Sequence, residues 1–221
     1  MTTGLKKKKI DLITSWDDGS ILDLKVAEVL EKYKLPGIFY IVCDWVGKQG
    51  YLSWDQIKDL DKRGFEIGSH TLSHPTDLKM TYEDQLFAEV HISKDILENV
   101  LGHSIKSFCY PRGRADERIK EMVVEAGYLN ARGTGKPGIT TITDKMYLPG
   151  TLHIFQRPEY HERPLISYAR DVFTKLNQEG GYCNIWGHSH EIDRESLWQV
   201  LDVVLNDASF LLSGKWGDKV L

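Results

Sequence analysis

The fold is decided by residues 10–43, which read IDLITSWDDGSILDLKVAEVLEKYKLPGIFYIVC. The apolar run at 10–16 has the length of a buried strand. Apolar residues then recur at helical spacing over 21–33, and Pro36 prevents the helix from continuing. A second apolar run of strand length covers 38–43. A strand, a helix and a strand in this order predict two parallel strands joined by a helical crossover.

The same alternation continues towards the carboxyl end of the chain. It is typical of a parallel sheet, either closed as a barrel or doubly wound. We find no internal repeat and no linker, so one domain is predicted over 1–221. The further predicted strands are 65–69, 105–110, 128–131, 152–156, 182–186 and an edge strand at 210–212, and the further helices are 53–62, 82–101, 116–126, 164–178 and 195–205.

Size and composition are those of an ordinary soluble globular protein, with 221 residues, 41% of them hydrophobic and 27% charged. The net charge of −4 gives no attraction to nucleic acid, and no apolar run is long enough to span a membrane. A basic run, Lys6 to Lys9, is not followed by the apolar stretch of a secretion signal. Cys43, Cys109 and Cys183 lie in apolar runs and are predicted to be buried free thiols. We therefore expect a cytoplasmic location, and the oligomeric state is left open.

Polar clusters stand directly after four of the predicted strands. The carboxyl ends of parallel strands meet on one face, and active sites are built on that face. The clusters are therefore expected to line one cleft, although they are far apart in the sequence. They are Asp17-Asp18, His70 with His74, Pro111-Arg112-Gly113, and His188 with His190.

Two of these clusters point to a metal ion. His70 and His74 are four residues apart, so one turn of chain places both imidazoles on the same side. Catalytic zinc commonly has three protein ligands and one open position, and an adjacent carboxylate, Asp17 or Asp18, can supply the third. A cation would also relieve the repulsion between the two carboxylates. Taken alone, residues 18–20 could instead cap the following helix.

The motifs in these clusters resemble a known family. Residues 15–19 (SWDDG), 53–54 (SW), 64–75 (GFEIGSHTLSHP) and 185–188 (IWGH) are similar to the polysaccharide deacetylases, the NodB-homology enzymes of carbohydrate esterase family 4. The resemblance is dense from residue 10 to about residue 128 and thinner beyond. It implies an α/β fold, an irregular (β/α)7-type barrel of parallel strands with outer helices.

The resemblance also implies a role for each motif residue. Asp17 matches the general base and His188 the general acid of a metal-dependent amide hydrolase. One divalent ion is implied, with zinc expected and cobalt, nickel or iron as alternatives. The implied ligands are Asp18, His70 and His74. The backbone N–H of Arg112 matches an oxyanion-hole donor, and Tyr110 and Trp186 are further candidate substrate contacts.

The chain departs from the family pattern at two places. The family commonly has an arginine that steadies the base three residues before the oxyanion-hole position, where this chain has Cys109. Arg112, Arg114 or an arginine from another segment can take its place. No residue clearly matches the carboxylate that positions the acid histidine. We take His190 as a bystander to His188, and expect the remaining histidines to be structural or exposed: His91, His103, His153 and His161.

The function implied is hydrolysis of an N-acyl group, usually acetyl, from an amino sugar of a glycan, glycolipid or sugar-nucleotide. Two alternatives stay open. Relatives with this barrel open ureide or imide rings, so the substrate can instead be a small nitrogen-rich metabolite. The chain can also be a catalytically silent, carbohydrate-binding relative that keeps the metal as a structural plug, although such a plug needs neither a base nor an acid.

Overall fold

The structure, a computed structural model, describes residues 8–216. Within this range seven parallel strands form one sheet in the order β5-β4-β3-β2-β1-β7-β6. The sheet forms a half-barrel surrounded by helices, which confirms the predicted fold class. Lys6 and Lys7 of the basic run lie outside the described residues. The strands are β1 Ile10–Trp16, β2 Ile38–Ile41, β3 Glu66–Ser69, β4 Ser107–Cys109, β5 Asn130–Arg132, β6 Leu152–His153 and β7 Gly181–Gly187.

Helices follow most of the strands and bury one apolar face each. In α1, Val26, Ala27 and Leu30 are fully buried at the spacing of one helical face. A capping box begins α2: Ser53 Oγ accepts from Gln56 N at 3.3 Å, and Gln56 Oε1 accepts from Ser53 N at 2.8 Å. The helices are α1 Asp23–Tyr33, α2 Trp54–Lys62, α3 Glu83–Phe87, α4 Ser93–Leu101, α5 Glu117–Glu125, α6 Leu165–Glu179, α7 Ser189–Arg194 and α8 Trp198–Leu212.

The structure differs from the sequence-based assignment in several elements, and one of them, the short helix α7, was not predicted at all. The edge strand at 210–212 was wrong, because these residues end α8, whose buried positions recur every three or four residues up to Leu211. The predicted helix 82–101 is divided into α3 and α4 by a π-helical turn at Ala88–Ile92. Such turns inside helices are frequent near functional sites.

The cysteines are in the state expected from the sequence. Cys43, Cys109 and Cys183 are buried free thiols. Over residues 8–216, no helix combines the length and hydropathy needed to cross a membrane. The carboxyl ends of β1, β3, β4, β5 and β7 lead directly into the polar residues described next.

Candidate active site

Three side chains lie close enough together to share one metal ion. Asp18 Oδ1 is 3.6 Å from His70 Nε2 and 3.8 Å from His74 Nε2. One ligand atom from each residue lies within 4.8 Å of the other two. Asp18 Oδ1 is buried without a hydrogen-bond partner, which is costly unless a cation satisfies it. The donor set and the orphaned oxygen therefore fit a divalent ion with nitrogen and oxygen ligands.

The tautomer of His70 is suited to metal binding. Its Nδ1 lies 2.8 Å from the carbonyl oxygen of Cys109, and a hydrogen bond there leaves Nε2 free to face Asp18 and His74. Burial lowers the pKa of His70 to about 4. His70 is thus neutral near pH 7, which is the state in which an imidazole binds a metal.

The loop that carries His70 and His74 is held by a buried carboxylate from the π-helical turn. Glu89 Oε2 accepts from the backbone N–H groups of Leu72 and Ser73, both at 2.9 Å. Glu89 Oε1 accepts from the Ser73 hydroxyl at 2.5 Å. The sequence analysis missed Glu89, because no local motif connects it with the loop.

The backbone of the site adopts a left-handed conformation at several non-glycine residues. They are Asp18 with φ 83°, Thr71 with φ 71°, His74 with φ 58° and Arg112 with φ 56°. This conformation is uncommon for non-glycine residues and clusters at functional sites, where the surrounding structure compensates for its cost. At His74 part of that support is a hydrogen bond from its N–H to Thr71 Oγ1 at 3.0 Å.

Arg132 at the end of β5 is the arginine that contacts Asp17. It is 2% exposed, and its Nη2 donates to Asp17 Oδ2. Burial alone would raise the pKa of Asp17, but the charges of Arg132 and the neighbouring histidines lower it to about 2. Neither candidate named from the sequence takes this position, since Arg112 is exposed and Arg114 pairs with Asp77 at 3.1 Å.

The small side chain of Cys109 and the large side chain of Arg132 are complementary. They are register partners on the adjacent parallel strands β4 and β5, and Arg132 Nη2 is 2.9 Å from Cys109 Sγ. The small thiol leaves room for a guanidinium that comes from the neighbouring strand. A signal was present in the sequence: Arg132 is a charged residue at the end of an apolar run, and the predicted strand 128–131 stopped one residue too early.

His188 belongs to a group with Glu191 and His153. Glu191 Oε2 is 2.8 Å from His188 Nδ1 and 3.3 Å from His153 Nε2. The opposite ring nitrogen, His188 Nε2, lies 3.9 Å from Asp17 Oδ2 and 4.0 Å from Asp18 Oδ2. Burial alone would lower the pKa of His188, but the hydrogen bond with Glu191 and the charges of Asp17 and Asp18 raise it to about 9.

This group contains two contacts that were not predicted from the sequence. Glu191 is the carboxylate at His188 for which no counterpart was found, and it lies only three residues further along the chain. His153 was expected to be structural or exposed, and it is buried on β6 beside this carboxylate. Its ring stacks on Trp186 at 3.9 Å and 7°. His190, taken as a bystander, is exposed.

The proposed base, acid and metal-binding side chains line one cavity of about 320 Å³. The oxyanion and substrate candidates Arg112, Tyr110 and Trp186 line it too. Tyr110 is buried and its hydroxyl donates to the Met146 carbonyl at 2.9 Å, so it presents mainly its ring. Trp186 lies between the His153 ring and the Arg132 guanidinium, which is 4.8 Å from the Trp186 ring centre.

Two half-buried aromatic rings stand beside the metal-binding group. The Trp45 ring is 5.2 Å from that of His74 and 5.0 Å from that of Tyr51, measured between centroids. Tyr51 is fixed beside the Asp18 loop by a bridge to Ser20. These rings form an aromatic wall next to the metal-binding side of the cavity.

Comparison with known sequences identifies the family. The sequence model of the family described as polysaccharide deacetylase matches residues 4–131, more than half of the chain. The chain belongs to the polysaccharide deacetylase family. The resemblance found from the motifs is thereby confirmed.

Individual relatives agree with this assignment. A Bacillus subtilis protein named as a polysaccharide deacetylase is 26% identical over 148 residues, which cover 66% of this chain and 52% of that protein. The poly-beta-1,6-N-acetyl-D-glucosamine N-deacetylase of Staphylococcus aureus is 23% identical over 183 residues, covering 72% of this chain and 63% of that enzyme. The chain thus spans about half to two thirds of the length of these relatives.

A solved structure supports the fold. The family 4 carbohydrate esterase of Streptomyces lividans, determined in complex with acetate, superimposes with a TM-score of 0.62. The superposition covers 95% of this chain and 90% of that enzyme, at 14% identity. At this level of identity the likeness supports the fold alone.

Proposed function

We propose that the protein is a metal-dependent N-deacetylase of an amino sugar within a glycan. The observation that carries the proposal is the meeting, in one cavity, of a possible metal-binding group with an ionised carboxylate and a hydrogen-bonded histidine. In the family these are the parts of an amide hydrolase. The cytoplasmic location expected from the sequence stays a prediction.

In the proposed reaction Asp17 is the general base. Arg132 holds its carboxylate ionised in a buried setting, and Asp17 takes the proton of the water that attacks the amide carbonyl. A divalent ion held by Asp18, His70 and His74, with zinc the expected metal, would polarise that carbonyl and make the water more acidic. The backbone N–H of Arg112 is proposed to donate to the oxyanion.

His188 is proposed to protonate the departing amine. Glu191 accepts a hydrogen bond from His188 Nδ1, so that His188 Nε2 faces the carboxylates of Asp17 and Asp18 across the cavity. The carbon–nitrogen bond of the amide then breaks, and acetate and the free amine leave together. Trp186 and the ring of Tyr110 supply apolar surface in the same cavity for the methyl of the acyl group.

Two features support a glycan as the substrate. The aromatic wall of Trp45 and Tyr51 offers flat rings on which the C–H face of a sugar can pack. A wider cleft of about 730 Å³ shares Thr134 with the cavity and is lined by polar and aromatic side chains that include Lys136, Arg157 and Tyr168. A chain of sugars can extend into it, whereas a small ureide or imide would leave it empty.

The test is release of acetate from a substrate panel by zinc- or cobalt-loaded protein. The panel holds N-acetylglucosamine oligomers, an N-acetylated sugar-nucleotide and an allantoin-like ureide. We expect acetate and free amine in equal amounts from the oligomers. Asp17→Asn is the matched control. It should retain the metal, and its rate of acetate release should be about 10²–10⁴-fold lower. Ring opening alone, no turnover of any compound, or full activity in Asp17→Asn would contradict the proposal.

A further inference from the structure

A second group of ligand atoms lies beside the proposed metal site. His153 on β6, His188 after β7 and Glu191 in α7 each direct one ligand atom to a common point, with all three atoms within 4.8 Å of one another. This group shares no residue with Asp18, His70 and His74. It faces Nδ1 of His188, whereas the proposed metal site lies towards Nε2.

One atom of this group is in ion-pair contact with Glu191 but makes no hydrogen bond of good geometry. His153 is 8% exposed, and its Nε2 is buried without a hydrogen bond. Glu191 Oε2 is 3.3 Å away but is not aligned with the ring nitrogen for a hydrogen bond. The stack on Trp186 restrains the plane of the His153 ring. A buried polar nitrogen without a well-aligned hydrogen bond is costly unless something else occupies the point that it faces.

We propose that His153 Nε2, His188 Nδ1 and Glu191 Oε2 form a second site for a divalent transition-metal ion such as zinc. Around a tetrahedral zinc with bonds of about 2.0–2.1 Å, neighbouring ligand atoms are about 3.3–3.5 Å apart. The separations of Glu191 Oε2 from the two ring nitrogens are 2.8 Å and 3.3 Å, and the two nitrogens lie within 4.8 Å of one another, so small side-chain shifts suffice. Two imidazoles and one carboxylate favour zinc, cobalt or nickel over magnesium or calcium.

The site is open to the cavity. The side chains of His188 and Glu191 are 23% and 22% exposed, and both line the cavity that contains the proposed active site. An ion can therefore enter from the cavity, and its fourth position can be filled by water. The buried His153 closes the opposite side.

Filling the second site would inhibit the proposed deacetylase, a consequence that rests on the proposed function. The ion replaces the proton shared by His188 Nδ1 and Glu191, and that proton leaves to solvent as the nitrogen–metal bond forms. His188 then cannot become the imidazolium that protonates the amine. The activity should rise with the first equivalent of zinc and fall as the second site fills.

The test is calorimetric titration of metal-free protein with zinc, repeated with cobalt and visible absorption. We expect the parent protein to bind two equivalents of zinc, the second more weakly than the first. Asp18→Asn should retain only the second site and His153→Phe only the first, and the double variant should bind neither. Phenylalanine can keep the stack on Trp186, and circular dichroism checks that the variant is folded. If it does not fold, Glu191→Gln replaces it, because that change also removes a ligand charge.

The second site would be refuted if the parent protein bound only one equivalent of zinc, or if His153→Phe still bound a second equivalent. The outcome is separable from that of the proposed function. Two bound ions without release of acetate would refute the deacetylase and leave the site standing. Release of acetate by a protein that binds a single ion would refute the site alone.

Discussion

The metal-ligand loop and the proton-transfer residues are positioned in different ways. His70 and His74 lie on one short loop of residues 70–74, and a single carboxylate, Glu89, holds the backbone between them. Asp17 and His188 depend instead on Arg132 from β5 and on Glu191 from α7. Metal ligands can thus be close together in sequence, whereas the groups that set the charge of a base or an acid can come from distant segments that the fold brings together.

Removing the guanidinium beside the base should have the largest effect. In Arg132→Met the buried Asp17 loses its charged partner, so kcat should fall about 10²-fold or more, while zinc content stays the same. Breaking a buried ion pair should also lower the free energy of unfolding by about 3–5 kcal/mol. The matched control is Arg114→Met, which removes a half-exposed partner of Asp77 and should change neither quantity appreciably.

The exchange Cys109→Arg with Arg132→Cys sharpens this test. It returns the arginine to the position that the family uses, on the neighbouring strand at the same register. The double variant should recover part of the kcat that Arg132→Met loses, because a guanidinium on either strand can reach Asp17. An Arg132→Met variant with parental kcat would show that the base does not depend on this contact.

Glu191→Gln should change the titration of His188. In metal-free protein His188 should titrate near pH 9, and loss of the Glu191 charge should lower that pKa. Because the folded pKa is raised above about 6.5, the stability from this contact is fully present below pH 6.5 and is lost as the pH rises through about 9. NMR titration of the histidine ring measures the shift. Glu195→Gln, an exposed change four residues away, is the control, and an equal His188 pKa in both variants would argue against the Glu191 contact.

Glu89→Gln should have the smallest effect. The amide keeps the size of the side chain but not the charge that accepts the N–H groups of Leu72 and Ser73. Looser support of the loop should weaken zinc binding about 10-fold, in the range seen for residues that support metal ligands. Competition with a chromophoric chelator measures the affinity, and the exposed Glu83→Gln is the control. Unchanged affinity would mean that the loop holds its shape without Glu89.

Much of the fold could be predicted because strand–helix alternation is a local pattern. The motif residues at the strand ends were likewise visible, since parallel strands place those ends on one face. The false strand at 210–212 came from considering three apolar residues apart from the helical spacing that precedes them. Arg132 and Glu89 were missed because their partners are 115 and about 16 residues away in sequence, and no spacing rule connects such pairs.

The contact between His153 and Glu191 was likewise not predictable from local sequence patterns. In sequence His153 is a lone histidine in the predicted strand 152–156, 35 residues before His188, and nothing nearby indicates a partner. The pairing of β6 with β7 sets His153 beside Trp186, and that register brings its ring to Glu191. The information lies in strand order, which the alternation pattern alone does not determine.

The most direct measurement is an anomalous difference map from crystals grown with one equivalent of zinc. We expect one strong peak within bonding distance, about 2.0–2.2 Å, of Asp18, His70 and His74. Absence of that peak, or a peak bound by other residues while these three side chains stay apart, would contradict this expectation.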